Sequence, residues 1–326
     1  MKLRNIMGKI MLAIGFALVL SICGVPEKWD SYMETVYAET SGEWEYSITN
    51  SETKTATITK YVGSEADVTI PTELDGYTIT AMGNYAFSGC NSLERIVIPE
   101  KVTQIGSGAF NLCSNLTEVE IKGELTSIEN AAFFYCESLA EITIPATVTR
   151  INSSAFYGCS SLKSITIPQG VTEIGSHVFR GCSSLTSIVV EEGNTVYDSR
   201  NNCNAIIEKA TNKLLYGCSN TKIPVTVTSI CDWAFADCKD LDKINIPEGV
   251  TTIGKCAFSG CISLTTISIP STVTSIGDPP FLYCYGLNSI VVEEENTVYD
   301  SRNNCNAIIE KATNKLLYGC GNTVIP

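Results

Sequence analysis

The stretch Cys159–Phe179, CSSLKSITIPQGVTEIGSHVF, is the clearest copy of a unit that recurs through most of the chain. Its residues alternate between apolar and polar in Ile165–Ile167, as in a strand with one buried face, and Pro168 ends that strand because proline cannot donate a ladder hydrogen bond. The residues Val-Thr-Glu-Ile at 171–174 form a second short β-branched stretch. Gly175 permits a turn, and the residues up to Phe179 are expected to close the unit through one helical turn. The unit is therefore predicted to be a coil with two short strands.

This unit returns along the chain with a fixed period. Phenylalanine, usually preceded by alanine, recurs every 23 residues, except that Phe179 and Phe235 are 56 residues apart, which is 23 plus 33. A cysteine follows each phenylalanine three residues later. One coil cannot bury its own apolar side chains, so we expect eight coils of about 23 residues to stack into a solenoid with a parallel β-sheet face and one continuous core. The repeated pairs are Phe87 and Cys90, Phe110 and Cys113, Phe133 and Cys136, Phe156 and Cys159, Phe179 and Cys182, Phe235 and Cys238, Phe258 and Cys261, and Phe281 and Cys284.

The pattern resembles the BspA-like, or treponemal-type, bacterial leucine-rich repeats. The matching elements are Cys-x-x-Leu-x-x-Ile-x-Ile-Pro and Ala-Phe-x-x-Cys, which cover essentially all of residues 42–326. Residues 44–77 also resemble the N-terminal cap of that family, with alternating strand residues in Thr55–Tyr61 and a turn at Asp75-Gly76. The resemblance implies a leucine-rich repeat solenoid with an N-terminal β cap. It also implies an exported surface protein of a host-associated microbe, with adhesion or binding of host proteins as the usual role.

The first residues are typical of an export signal. A basic start precedes the uncharged run Ile10–Ile22, and Val36-Tyr37-Ala38 offers a cleavage motif before Glu39. An uncleaved anchor and a lipoprotein cut before Cys23 are the alternatives, although the run is short for a membrane-spanning helix. We therefore expect a secreted or cell-surface protein. The predicted segments are 1–38 signal peptide, 39–80 N-terminal β cap, 81–190 repeats, 191–224 inserted β-hairpin, 225–292 repeats, and 293–326 second β-hairpin with a truncated repeat.

The two insertions are near-copies of each other and are predicted to be β-hairpins. Folding the first about Ala210-Thr211 places Ala205 opposite Tyr216 and Cys203 opposite Cys218. Opposed cysteines are close enough for a disulfide, and export makes oxidation feasible. The bonds Cys203–Cys218 and Cys305–Cys320 are therefore candidates, with buried free thiols as the alternative. Residues 191–224 and 293–326 differ only at Gly193/Glu295, Ser219/Gly321 and Lys222/Val324.

The eight repeated cysteines are a different case. Stacked strands would hold their side chains parallel and about 4.8 Å apart, which is unsuitable for a disulfide. We expect them to be small apolar core residues.

Composition excludes several functions. A net charge of −13 is unsuited to binding nucleic acid. The single histidine, His177, excludes a mechanism that needs two imidazoles and a histidine-rich metal site. No nucleophile elbow, phosphate loop or Cys-x-x-Cys pair is present. We therefore expect no enzyme activity, no cofactor and no metal, and no membrane contact beyond an uncleaved N-terminal anchor.

The outer face of the predicted sheet is the candidate binding surface. The isoleucines of Ile-x-Ile point inward, so the residue before the first and the residue between them point outward. These residues form a candidate strip for a protein or glycoprotein ligand, a use that solenoids favour. A plain soluble sheet surface, in a protein that only holds another domain away from the cell, is the alternative. The strip consists of Arg95, Val97, Glu118, Glu120, Glu141, Thr143, Ser164, Thr166, Ser187, Val189, Lys243, Asn245, Thr266, Ser268, Ser289 and Val291.

The sequence stops within a coil. Pro326 corresponds to Pro224, which leads directly into the second strand of its coil. Solenoids need a polar terminal cap. We therefore expect the chain to be a fragment or a truncated gene product.

Overall fold

The computed structural model describes residues 38–326, so the predicted signal peptide, apart from Ala38, lies outside the described residues. No helix within residues 38–326 is long and apolar enough to cross a bilayer.

An N-terminal sheet precedes the repeats. Its strands lie in the order β1-β2-β3-β6-β5, with β2 antiparallel to both β1 and β3, and β3 parallel to β6. The rings of Trp44 and Tyr61 lie 4.8 Å apart, and Tyr61 stacks on Phe87 at 5.1 Å. This sheet therefore covers the first phenylalanine of the repeats. Its strands, together with β4, which pairs elsewhere, are β1 (Glu39–Ser41), β2 (Trp44–Asn50), β3 (Thr55–Tyr61), β4 (Asp67–Thr69), β5 (Glu73–Leu74) and β6 (Tyr77–Met82).

The repeats form a leucine-rich repeat solenoid with a parallel β-sheet face, as predicted. The second short strands of the coils form a further parallel ladder. Within the first ladder Ile96 pairs with Val119 and Ile165 with Ile188. Equivalent residues of neighbouring coils, which are 23 residues apart in the sequence, therefore lie side by side. The side chains of Ile96, Val119, Ile165 and Ile188 are buried. The first ladder contains β7 (Arg95–Ile98), β9 (Glu118–Ile121), β12 (Ser164–Ile167), β14 (Ser187–Val190), β20 (Thr266–Ile269) and β22 (Ser289–Val292). The second contains β8 (Gln104–Ile105), β10 (Ser127–Ile128), β11 (Arg150–Ile151), β13 (Glu173–Ile174), β18 (Ser229–Ile230), β19 (Thr252–Ile253) and β21 (Ser275–Ile276).

The turn around each phenylalanine is not the helical turn that the sequence suggested. The residues two before and two after Phe133, Ala131 and Tyr135, both have φ of 54°. The same left-handed positions recur around the other repeated phenylalanines, except that Pro279, which cannot adopt positive φ, follows a cis peptide bond. These turns are therefore tight β-turns and not helical turns, because left-handed φ angles do not occur within a right-handed helix.

The glycine after the second strand has a different role from the one predicted. Gly175 does not have positive φ. A Cβ atom there would lie 2.5 Å from the backbone nitrogen of Ser153 in the preceding coil, and at Gly254 it would lie 2.4 Å from that of Asp232. Glycine is needed at these positions because adjacent coils approach each other closely.

Each insertion contains the predicted β-hairpin, preceded by one further strand and a 3-10 turn. In the first insertion the order β15-β16-β17 continues into β18 of the next coil. A β-bulge at Ile206/Ile207 places Ala205 opposite Gly217, so the predicted pairing of Ala205 with Tyr216 was wrong. The elements are β15 (Tyr197–Asp198), η1 (Arg200–Asn202), β16 (Ala205–Glu208) and β17 (Lys213–Gly217), then β23 (Tyr299–Asp300), η2 (Arg302–Asn304), β24 (Ala307–Glu310) and β25 (Lys315–Gly319).

The first insertion is buried on both faces. Ile206 and Tyr216 pack into the core of the preceding coils, whereas Ala205, Ile207 and Leu214 pack into the core of the following coils. A strand pair that faces apolar surroundings on both sides needs continuous apolar residues, which explains the run Ala-Ile-Ile. The insertion is thus an extra layer of the stack that joins two cores.

The core contains two ladders of repeated side chains. The rings of Phe110 and Phe133 lie 5.2 Å apart and nearly parallel. The thiol of Cys136 is buried and donates to the Phe110 carbonyl at 3.2 Å, and Cys159 donates to Phe133 at 3.1 Å. The repeated cysteines therefore supply a hydrogen bond between coils as well as small apolar volume.

We expect these thiols to resist alkylation. Burial raises the pKa of Cys113 to about 12 and raises the pKa of Cys136 and Cys159 well above the usual value, so almost no thiolate is present at pH 8. Among the described cysteines, iodoacetamide should label the half-buried Cys90, Cys231 and Cys320 first. Peptide mass spectrometry over time measures this, with the urea-denatured chain as the control. Labelling of Cys159 as fast as Cys90 in the native chain would contradict the buried ladder.

Candidate binding face

The outer face of the first ladder carries the predicted strip, and most of its side chains are exposed. Glu118, Glu141 and Lys243 are exposed, and Glu120 is half-buried. Val97 is the exception, because it is only 9% exposed. Its neighbour in the register is Glu120, to which Arg95 reaches over the same face of the sheet. Arg95 and Glu120 therefore flank a buried position that alternation alone places in solvent.

The N-terminal end of the strip carries a network of ion pairs. Arg95 Nε lies 3.2 Å from Glu118 Oε1, Arg95 Nη2 lies 3.5 Å from Glu120, and Lys122 Nζ lies 3.4 Å from Glu120. All of these side chains are substantially exposed, so each pair adds only about 0.2–1 kcal/mol. Within residues 38–326, Glu141 has no such partner. The network therefore leaves acidic oxygens accessible to a ligand.

The first ladder is interrupted at two coils. The segments 141–144 and 243–246 occupy the positions of first-ladder strands but are not paired with a neighbouring strand. Among the described residues, their backbone groups make no backbone hydrogen bond. Strand pairs β12-β14 and β20-β22 beside them are fully paired. The coils at these two points are therefore splayed apart on the outer face.

The first interruption opens into a cleft of about 1080 Å³. We call it the acidic cleft, because Lys163 is its one basic side chain among four carboxylates. It includes six of the predicted strip residues. They are Glu118, Glu120, Glu141, Thr143, Ser164 and Thr166, joined by Glu191 at the rim.

The second interruption opens into a cleft of about 890 Å³. One wall is the end of the first insertion, and the other is the splayed coil that carries Lys243 and Asn245. We call it the lysine cleft. Its lining residues are Asn204, Ser219, Asn220, Thr221, Lys222, Ile223, Asp242, Lys243, Ile244 and Asn245.

The cysteines proposed for disulfides are free thiols in the structure. Because of the β-bulge, the thiol of Cys218 points to the Asn204 carbonyl at 3.4 Å, and that of Cys203 to the Ala205 carbonyl at 3.9 Å. The corresponding thiol of Cys320 lies 3.4 Å from the Asn306 carbonyl. The bonds Cys203–Cys218 and Cys305–Cys320 stay predictions, and a thiol titration of the exported protein tests them.

Two polar clusters could not be predicted from the sequence. Asn194 is 1% exposed, and its amide is fully hydrogen-bonded to the preceding coil and to its own turn. The guanidinium of Arg180 lies 4.0 Å from the ring centre of Trp233 and 3.5 Å from Asp237, so it joins the coils on either side of the first insertion. His177 is half-buried against the same tryptophan. Apart from the backbone N–H groups of its own turn, the partners of Asn194 lie in the preceding coil, and those of Arg180 and His177 lie beyond the first insertion. No local sequence pattern predicts these contacts.

The comparisons with known proteins agree with this architecture. The BspA type leucine rich repeat region matches residues 80–206 and 206–315. The chain is similar to a leucine rich cell surface protein from Faecalibacterium prausnitzii, with 30% identity, a TM-score of 0.54, and coverage of 81% of this chain and 90% of that chain. It is also similar to a leucine-rich repeat protein from Eubacterium ventriosum, with 26% identity, a TM-score of 0.60, and coverage of 78% and 71%. No curated protein matches the sequence.

A more distant likeness concerns the fold alone. The pneumococcal vaccine antigen PcpA shares 18% identity and a TM-score of 0.52 over 80% of this chain and 83% of that chain. The parallel ladders, the 23-residue register and the family match together define the class as a bacterial leucine-rich repeat protein. The chain belongs to the BspA type leucine rich repeat family.

Proposed function

We propose that this protein is a non-catalytic, surface-exposed module that binds a partner protein through the outer face of its first ladder. The observation that carries the proposal is the acidic cleft. There the exposed glutamates of the predicted strip converge on one cavity beside unpaired backbone groups.

The negative charge of the acidic cleft favours one kind of partner. Glu118, Glu120, Glu141 and Glu191 line the cavity, and Lys163 is the one basic side chain in the described lining. Arg95 and Lys122 pair with Glu118 and Glu120 from outside the cavity, so within residues 38–326 Glu141 and Glu191 keep their charge without an ion pair. Such a site attracts a segment of a protein or glycoprotein that carries lysine or arginine. Solenoids present extended surfaces of this kind for protein binding. The partner that we propose is therefore a basic segment of a host or matrix protein.

We also propose that the protein is extracellular. One similar structure, at 30% identity, is that of a leucine rich cell surface protein from Faecalibacterium prausnitzii. The basic and apolar N-terminus supports export of this chain. Adhesion to another cell is the use that we propose for the binding face.

Neutralising the acidic cleft should weaken binding. We expect the triple variant Glu118→Gln, Glu120→Gln and Glu141→Gln to bind a fluorescent peptide of alternating lysine and threonine about tenfold less tightly. Fluorescence anisotropy at low and high salt measures the loss, and the native affinity should fall as salt rises. The matched control replaces the exposed residues Glu52, Glu73 and Glu100 with glutamine. Equal losses in both triple variants would show that only net charge matters and would refute the site.

A further inference from the structure

We infer that the lysine cleft is a second binding site, one that takes an acidic, extended peptide segment of a partner protein. It lies on the same face as the acidic cleft but carries the opposite charge. The inference deepens the proposed function, because it adds a second chemically distinct contact on that face.

The first observation is the positive charge of the residues that line the lysine cleft. Lys222 and Lys243 line the cavity together with a single carboxylate, that of Asp242. Within the described chain, the ammonium group of neither lysine makes an ion pair or a hydrogen bond. The protein as a whole has a net charge of −13, so a cavity with two free ammonium groups stands out from its surroundings. Carboxylates are the groups that such a cavity attracts.

The second observation is the free main chain in the wall of the cavity. Lys243, Ile244 and Asn245 have no backbone hydrogen-bond partner within residues 38–326. The side chain of Asn245 is exposed and also has no partner in that part of the chain. An extended peptide satisfies such groups with its own N–H and C=O groups, while its side chains reach flanking pockets. No aromatic ring of residues 38–326 lines the cavity, so a sugar has no ring there on which to stack. These features favour a peptide over a saccharide.

The third observation comes from the duplication within the chain. The two insertions differ at three positions, Gly193/Glu295, Ser219/Gly321 and Lys222/Val324. Two of these, Ser219 and Lys222, line the lysine cleft. The second copy therefore keeps the fold of the insertion but lacks the hydroxyl and the ammonium group. The difference between the copies is concentrated at the proposed site.

The rim of the cavity is already ordered by other contacts. The hydroxyl of Thr221 donates to the Asn204 carbonyl at 2.6 Å, and the amide of Asn204 donates to the Asn220 carbonyl at 3.3 Å. The backbone N–H of Lys222 donates to the Cys203 carbonyl at 3.0 Å. Lys222 therefore projects from a fixed turn, which reduces the entropy lost when a ligand binds.

The duplication also supplies a variant that should fold. The changes Ser219→Gly and Lys222→Val give the first insertion the residues of the second. We expect the native chain to bind a fluorescent peptide of alternating glutamate and threonine, with an anisotropy signal that falls at high salt. Ser219→Gly with Lys222→Val and Lys243→Gln should weaken that binding about tenfold. Lys255→Gln, an exposed lysine outside the cleft, is the control and should bind like the native chain.

Three results would overturn the inference. They are no binding of the acidic peptide by the native chain, equal binding by the triple variant, and binding of polysialic acid in place of the peptide. The same variant should keep its affinity for the lysine-threonine peptide, and the glutamate variants of the acidic cleft should keep theirs for the glutamate-threonine peptide. Failure of one site is therefore distinguishable from failure of the other.

Discussion

Replacing Gly217 with alanine is expected to lower the free energy of unfolding by about 3 kcal/mol. Gly217 ends the last strand of the first insertion, where the next coil packs against it. An added Cβ would lie 2.2 Å from Cε1 of Phe235, and that ring is fully buried and stacked on Phe258 at 5.1 Å. Neither the ring nor the strand has room to move, so the coils on either side of Gly217 must separate.

Urea unfolding followed by circular dichroism measures this loss. Because the first insertion joins two cores, we also expect the Gly217→Ala variant to unfold in two steps. Gly319→Ala is the matched control. It changes the same position in the second copy, where the nearest atom is the hydroxyl of the half-exposed Thr323 at 2.6 Å. Equal effects of the two substitutions would contradict the role of the first insertion as a buried layer.

The second large effect is expected at Asn194. Its Nδ2 donates to the carbonyls of Pro168 at 3.1 Å and Val171 at 2.8 Å, and its Oδ1 accepts from Val196 N at 2.9 Å and Tyr197 N at 2.8 Å. The side chain is 1% exposed. Asn194→Ala therefore leaves four backbone groups without their partner at a buried site. We expect a loss of about 3 kcal/mol in the free energy of unfolding.

Two further variants make this expectation specific. Asn194→Asp keeps the acceptor but has no N–H for the two carbonyls, so it should be at least as damaging as alanine. Asn220→Ala changes an exposed asparagine of the same insertion and should cost little. Chemical denaturation of the three variants gives the comparison. A loss at Asn194 no larger than that at Asn220 would show that the hydrogen bonds do not anchor the insertion.

Much of the fold could be predicted because each unit carries the same local information. The spacing of Phe110 and Phe133 gives the period, and the alternation in Ile165–Ile167 gives the strand and its buried face. The stacked rings and the 23-residue register confirm both. These features depend on residues within one coil and its immediate neighbour, which is the range that sequence patterns describe.

What the sequence did not reveal depends on contacts between distant residues. Val97 is buried beside the Arg95–Glu120 ion pair, whose two partners lie in different coils. The left-handed φ of Ala131 and Tyr135 is imposed by the tight turn and not by residue type. A bulge, as at Ile206/Ile207, inserts one residue into the register without altering the apolar pattern.

The candidate site, like the fold, could be predicted from the sequence only in part. Alternation correctly placed Glu118, Glu141 and Lys243 on the exposed face. It did not predict the two interruptions, because the segments 141–144 and 243–246 have the same apolar alternation as the paired strands. Their separation from neighbouring coils is a property of stacking, and the two clefts exist only because of it.

Hydrogen–deuterium exchange with mass spectrometry tests these interruptions most directly. We expect fast exchange of the backbone amides in 141–144 and 243–246, and slow exchange in Ser187–Val190 and Ser289–Val292, whose strands are paired. Uniform protection of all four segments would mean that the sheet is continuous, and both clefts would then be absent.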